Sequence, residues 1–463
     1  MATAKNFHVL IMLVLQLLFL GFLAHVSAYT VIPHEFTVCL DENYTLESHF
    51  KYIDKALNIS KYIENIGCYD IEFHNTTTTH DLSEESVLDL IRSDPQVHSI
   101  SPNFAFSLDY HIEGEPNPPS DYQNLSHSTQ SRDSPYWDPS YQTSTQYEAT
   151  WPLVYISSDE AVPSEPNYYY MQRGGQGVDV YVLDTGLDPK VADLMDHRFF
   201  TTDSYVIEEP TSVDYNGHGT HVAGIIGSDR FGVCKVCNVI SMKTCNATGI
   251  FKKNPVRDAI NYVIWRHNNK MQTEPGFRGS IINMSFGTNA TSADLNDLRR
   301  IIKAADEAGI IMVAAAGNNG MVLGFQHPVE AEIYPATSNK VITVGGSLEY
   351  NSWYQRSNSG KLINVIAPAS CESYWKDATT LVTSGTSMAA PHVAGVLALW
   401  MSYEGSFNKT TALMRLMDNV DIDYISGVPP NTYNAFVNSG IHKGFPYVGV
   451  PAGAGFIIVE PDR

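Results

Sequence analysis

Positive charge is scarce in this chain. Lysine and arginine number 29 against 50 aspartates and glutamates, for a formal net charge of −21. Such a surface repels a polyanion, so nucleic acid is excluded as an expected partner. Cysteine is also sparse, at six in 463 residues: Cys39, Cys68, Cys234, Cys237, Cys245 and Cys371. Cys234-x-x-Cys237 has the spacing of a redox or zinc pair. No second pair and no histidines at ligand spacing follow it, so no metal is assigned. A structural disulfide and buried free thiols stay open as readings, and the sequence does not choose a pairing. Beyond the N-terminus there is no run of roughly 18 apolar residues, so no internal membrane span is expected.

The N-terminus is where apolar residues do accumulate. Lys5 precedes an apolar run from Val9 to Ala24, and Val26-Ser27-Ala28 ends it with small residues. Residues 1–28 read as a signal peptide cut after Ala28, with an uncleaved anchor as the alternative. Asn43, Asn58, Asn75, Asn124, Asn246, Asn289 and Asn408 each begin an Asn-x-Ser/Thr triplet, in keeping with a secreted, extracellular glycoprotein. Asn283 also fits the pattern but lies in an apolar strand.

The length allows more than one folding unit. Residues 29–111 read as a small α+β unit. Glu35–Leu40 alternates as a strand does, Leu46–Ile59 has helical spacing, and Ser83-Glu84-Glu85-Ser86 opens a second helix with a cap and an acidic first turn. Residues 112–147 are polar and proline-containing, an exposed linker. From 148 to 463 short apolar runs alternate with helical segments. The runs Val178–Leu183, Val239–Met242, Ile281–Met284, Ile310–Ala315 and Val341–Val344 predict parallel strands buried on both faces. Val256–His267 and Leu295–Ala308 predict helices between them. The fold class is α/β, a doubly wound parallel sheet, whose sites lie at the carboxyl ends of the strands.

Three segments carry chemistry. Asp184-Thr185-Gly186 ends a central strand. Asn216-Gly217-His218-Gly219-Thr220-His221 brings a histidine to a helix start. Thr383-Ser384-Gly385-Thr386-Ser387-Met388-Ala389-Ala390-Pro391 places a serine ahead of an apolar helix, where the helix N-terminus favours developing negative charge. A nucleophilic serine needs a base, and the base needs an acid to hold its tautomer. A fourth segment, Ala314-Ala315-Ala316-Gly317-Asn318, ends another strand and offers an amide donor for an oxyanion. His221 and His392, inside their helices, read as structural histidines.

With these segments the chain resembles the subtilisin-like serine proteases, in their proteinase K-like branch. The order Asp, His, Ser is the order of subtilisin. The resemblance extends to Trp151-Pro152-Leu153-Val154-Tyr155-Ile156-Ser157 and Ile425-Ser426-Gly427-Val428-Pro429, so it covers roughly 148–440. It implies Asp184 as acid, His218 as general base, Ser387 as nucleophile and Asn318 as oxyanion donor together with the Ser387 N–H. It also implies that Ser285, Phe286 and Gly287 pair with the substrate backbone. With Ala315, Ala316 and Gly317 they would wall the pocket for the residue before the scissile bond (P1). Such walls favour an apolar or aromatic side chain. Glu330 or Glu332, if turned inward, would instead select a basic one. Residues 29–111 resemble the family's inhibitory propeptide, with the maturation cut expected inside the 112–147 linker and the propeptide acting as intramolecular inhibitor. The expected partners are protein or peptide substrates, acted on by a monomer. No cofactor is required. Calcium stays open, because Asn364 stands where a carboxylate completes one of the family's sites. Alternatives are a processing protease selective for basic residues and an inactive binding homologue. A zinc hydrolase is disfavoured, since His218-Gly-Thr-His221 lacks the glutamate of the helical zinc motif.

Overall fold

A computed structural model describes residues 29–53, 57, 59–73, 83–117, 127–130, 143–194, 198–291, 293–325 and 331–443. The segment read as a signal peptide and most of residues 112–147 lie outside them.

The larger sheet runs in the spatial order Phe199–Thr201, Asn238–Lys243, Val178–Asp184, Gly279–Met284, Ile311–Ala315, Ile342–Leu348, Val365–Pro368, Ala435–Phe436 and Asp421–Ile422. The pairs from Phe199–Thr201 to Ala435–Phe436 are parallel. Alternation along each strand feeds two cores, as a two-residue period dictates. Val178, Val180 and Val182 join a core under the helices His218–Gly227 and Thr386–Glu404. Tyr181 and Leu183 join the opposite core, under Lys253–Thr273 and Asn296–Glu307.

The N-terminal unit forms an antiparallel sheet from Thr30–Leu40, Ile59–Ile63, Cys68–Glu72 and Val97–Ser107. Cys39 and Cys68 bridge its two central strands. Its helix Glu84–Arg92 starts at Ser83, whose hydroxyl accepts from the Ser86 N–H, a cap of the sort the sequence indicates. The other helix is shorter than its periodicity suggests. It spans Leu46–Tyr52, and Ile59 instead opens a strand and pairs with Ile71. Strand pairing there overrides the helical spacing. One face of the sheet carries its own core of Val38, Leu40, Tyr69, Ile71, Leu88 and Ile91. The other face places Ile63, Ile66, Phe104 and Phe106 in one cluster with Val256, Ile260, Leu298 and Ile301 of the two outer helices.

A buried ionic cluster joins the same surfaces. Arg257 is fully buried and donates to both Asp70 oxygens, at 2.8 and 2.6 Å, and to Thr37 Oγ1 at 2.9 Å. Asp258 and Asp297 flank it. Lys253, also buried, donates to the Pro102 carbonyl at 2.8 Å and meets Asp297 at 3.1 Å. Cys234 and Cys237 are joined, while Cys245 and Cys371 are free and buried. Among the described residues no helix is long and apolar enough to cross a membrane.

Two buried histidines make stability sensitive to acid. His221 Nε2 lies 3.0 Å from the Leu381 carbonyl, and His392 Nδ1 lies 2.7 Å from that of Met388. Burial pushes them down from 6.5 to about 3 and about 4. Their neutral forms belong to the fold, while the unfolded chain binds the protons. Stability is thus complete above pH 6.5 and is lost as pH falls below it, down to the folded values. By pH 5 the two together should cost about 4 kcal/mol. A urea midpoint series between pH 7 and 5 checks this. His392→Gln should remove about half of the loss these two contribute, and a flat midpoint would refute the assignment.

Candidate active site

The site assembles where the larger sheet's strands end. Asp184 closes the Val178–Asp184 strand, and its backbone carbonyl accepts from Thr244 N and Cys245 N at 2.8 and 3.0 Å. One carboxylate oxygen accepts from Thr185 N at 2.8 Å. Both oxygens face His218 Nδ1, at 2.8 and 3.0 Å. Asp184 and His218 are fully buried, so this contact fixes the ring and its tautomer.

Local sequence explains how His218 gets there. Gly217 sits at φ 113°, and a Cβ on it would meet the Trp375 ring at 2.3 Å. Gly219 lies against the Asp184 turn, where a Cβ would come within 2.5 Å of the Gly186 carbonyl oxygen. Only glycine allows that approach. Asp214 then organises the turn by accepting from the N–H groups of Asn216, Gly217 and Thr220.

Ser387 lies in the first turn of the Thr386–Glu404 helix and is 3 % exposed. Pro391, four residues on, has no N–H to give the Ser387 carbonyl. That carbonyl accepts instead from Ser285 Oγ at 2.8 Å, while Ser387 Oγ donates to the Ser285 carbonyl at 3.0 Å. His218 Nε2 is buried with no hydrogen-bond partner. A change of the Ser387 side-chain rotamer would move its proton from the Ser285 carbonyl toward that nitrogen.

Asn318 is positioned through its oxygen. Oδ1 accepts from Thr386 N at 2.8 Å and from Thr386 Oγ1 at 3.0 Å. Its Nδ2 therefore points away, and donates to the backbone carbonyl of Asp109 at 2.6 Å. The residue after that carbonyl, Tyr110, lays its ring on His218 at 4.7 Å between centroids and reaches Asn216 Oδ1 through its hydroxyl at 3.2 Å. Burial, with the Asp184 charge second, pushes the Tyr110 hydroxyl up to about 12. The peptide bond between Asp109 and Tyr110 thus lies across the base and the oxyanion donor.

The flanks of that bond are held as strands. On one side Val97–Ser107 pairs antiparallel with Ile250–Lys252, and Leu108 N donates to the Gly249 carbonyl at 2.9 Å. On the other, His111–Asn117 pairs antiparallel with Thr380–Ser384. Sequence reasoning missed Ile250–Lys252, Asp109 and Tyr110. The alternation of Ile100, Phe104, Phe106 and Leu108, running straight up to Asp109, was the available signal. The residues at the site, Asp109 and Tyr110, precede the 112–147 segment in which the cut is expected. The chain reaches the site earlier, because the strand from Val97 carries it there directly.

The pocket beside Asp109 is lined by Ser285, Phe286, Gly287, Ala315, Gly317, Asn319 and Ile333, among others. Phe286 also packs on Phe106 and Phe251, at 5.8 and 4.4 Å. Ala316 does not line this pocket. Its side chain joins a cluster with Leu323, Ile333 and Ile363, because neighbours along an extended chain face opposite ways. Glu332 is paired with Arg299 at 2.5 Å, and Glu330 lies outside the described residues. The Asn364 oxygen accepts from Thr343 N at 2.8 Å, so it serves the strand pairing. Among the described residues no three His, Cys, Asp or Glu side chains cluster to hold a metal.

A serine, a carboxylate-held histidine and an amide donor around a peptide carbonyl define a serine-hydrolase site. The comparisons with known proteins agree. Residues 175–439 match the family model described as the Subtilase family. Proteinase T of Parengyodontium album is 31 % identical over 300 residues, 64 % of this chain and 95 % of its own length. Cerevisin of Saccharomyces cerevisiae is 32 % identical over 314 residues, but this match spans only 47 % of its length. A crystal structure of a cold-adapted subtilisin-like serine proteinase superposes with a TM-score of 0.55 at 29 % identity, covering 63 % of this chain and 98 % of that one. The chain belongs to the subtilase family and is a subtilisin-like serine endopeptidase.

Proposed function

We propose that this protein is a secreted endopeptidase made as an inhibited precursor that cuts its own Asp109–Tyr110 bond. The observation that carries this reading is the Asp109 carbonyl on Asn318 Nδ2, with Tyr110 against His218. Ser387 Oγ attacks that carbonyl carbon and passes its proton to His218 Nε2. The oxyanion is held by Asn318. His218 then protonates the Tyr110 nitrogen, the peptide bond breaks, and Asp109 is left as an ester on Ser387. Water, deprotonated by His218, releases the Asp109 carboxylate. These steps need no cofactor and no second chain.

N-terminal sequencing of the first processed form tests the cut. It should begin at Tyr110. A first cut within 112–147 would overturn the assignment, although later trimming of the 110–147 segment is compatible with it.

After the cut, residues 29–109 stay in the cleft as an inhibitor, held by the shared hydrophobic cluster and by the Asp70–Arg257 pair. Removing one partner of a buried pair leaves the other charge uncompensated. Arg257 retains Asp258 and Asp297, which puts Asp70→Ala at the low end of that penalty. Diluting the processed complex and following the return of activity measures the effect. Asp70→Ala should release the inhibitor about a hundredfold faster. An unchanged release rate would remove the pair from the inhibitory contact.

A further inference from the structure

We infer that Arg356 makes this enzyme selective for a carboxylate side chain, aspartate above all, at P1. The inference rests on the reading of Asp109–Tyr110 as the processed bond and goes beyond it to the substrates of the mature enzyme. Arg356 Nη2 donates to Asp109 Oδ1 at 3.1 Å. The same Asp109 has its backbone carbonyl on the oxyanion donor and lines the pocket, while Arg356 stands outside that lining, so the charged contact is made at the pocket's rim by the side chain of the residue before the bond. The sequence reading expected an apolar or aromatic residue there, from the small and apolar walls of Phe286, Ala315 and Ala316.

The arginine is held in place by the loop that carries the oxyanion donor. Its backbone carbonyl accepts from Gly320 N at 2.8 Å. Two residues on, Asn358 Oδ1 accepts from Asn319 N and Met321 N, at 3.2 and 2.9 Å. The segment bearing Arg356 and the segment bearing Asn318 thus move as one piece. The backbone of Arg356 is fixed relative to the point where the scissile carbonyl must sit.

The charges around the pocket point the same way. Glu332, the carboxylate that would favour a basic substrate, is paired with Arg299. Glu113 approaches from the far side, where Ser370 Oγ and Ser384 Oγ donate to it. It lies on the strand after Tyr110, so it follows the scissile bond and does not line the P1 pocket. The Tyr354 hydroxyl feels the same charges: it is pushed up by burial first, with Arg356 opposing and Asp109 and Glu113 adding to the rise. The net charge of −21 gives acidic substrates no general attraction to this protein. A preference for them must therefore come from a local cation. Asp109 and Arg356 keep 34 % and 46 % of their side chains exposed, which bounds the size of the effect.

The test uses the mature enzyme and the chain's own cleavage sequence as peptides Phe-Ser-Leu-X-Tyr-His, with X as Asp, Asn, Leu, Phe or Arg. Active enzyme is counted by stoichiometric labelling with phenylmethylsulfonyl fluoride, so a folding loss in a variant is not read as selectivity. The Asp peptide should exceed the Asn peptide in kcat/KM by about five- to tenfold. Asn is nearly isosteric with Asp, so this ratio isolates the charge. Arg356→Glu should reverse the ratio, Arg356→Lys should keep part of it, and added salt should lower it in the wild type. If the wild type cleaves the Leu or Phe peptide while treating Asp and Asn alike, the inference is wrong and the endopeptidase reading stands. A ratio unmoved by Arg356→Glu also overturns it. If no peptide is cleaved by labelled-competent enzyme, both readings fall.

Discussion

Replacing Ser387 by alanine is expected to abolish peptide hydrolysis and to leave the precursor uncut at full length. Loss of the nucleophile in subtilisin costs about 10⁶ in turnover, and the small remainder comes from the oxyanion site and binding alone. The same scale should apply here, because Ser387 lines the pocket that Asp109 also lines and His218 Nε2 has no competing partner. The substitution removes the hydroxyl bond to Ser285, but the reverse bond from Ser285 Oγ to the Ser387 carbonyl remains. The variant should therefore fold and retain residues 29–109 in the cleft. Casein hydrolysis, together with the size of the purified precursor after prolonged incubation, decides the matter. Trimming of the alanine variant at the wild-type rate, in a protease-free preparation, would mean that another enzyme does the cutting.

Much of this site was legible in the sequence, for physical reasons. Asp184, His218, Asn318 and Ser387 each stand at a strand end or a helix start, and each carries a local signature of glycines or an apolar run. Asp184 meets His218, and Asn318 and Ser387 line one pocket. The strands of the large sheet were legible because burial on both faces leaves continuous apolar runs. What was not legible depends on pairing across long stretches of chain. Ile250–Lys252 has no periodicity of its own and becomes a strand only by adding to the N-terminal sheet. Leu46–Ile59 has helical spacing along its whole length, yet Ile59 gains more as a partner of Ile71. Ala315 and Ala316 are the same residue type in adjacent places, and only the strand's orientation decides which one faces the pocket. Arg356 belongs to a loop with no motif. Its role becomes visible only when Asp109 is placed in the site.

Asn318→Ala should lower turnover by about 10²–10³ with little change in KM, the loss seen when subtilisin's side-chain donor is removed. The reasoning is that Asn318 Nδ2 faces the carbonyl oxygen that becomes negative in the transition state, so most of its worth appears only then. The structure adds a sharper comparison. The side chain has two jobs: Oδ1 is anchored by Thr386 N and Oγ1, and Nδ2 donates to the substrate carbonyl. Asn318→Asp keeps the anchor and loses the donor. It also places a carboxylate where negative charge must develop, so it should turn over more slowly than the alanine variant. If the anchor were what mattered, aspartate would be the better enzyme of the two. Steady-state kinetics on the Phe-Ser-Leu-Asp-Tyr-His peptide separates these outcomes. A large rise in KM at constant kcat in Asn318→Ala would show that the amide binds substrate and transition state alike, which would remove it as the oxyanion donor.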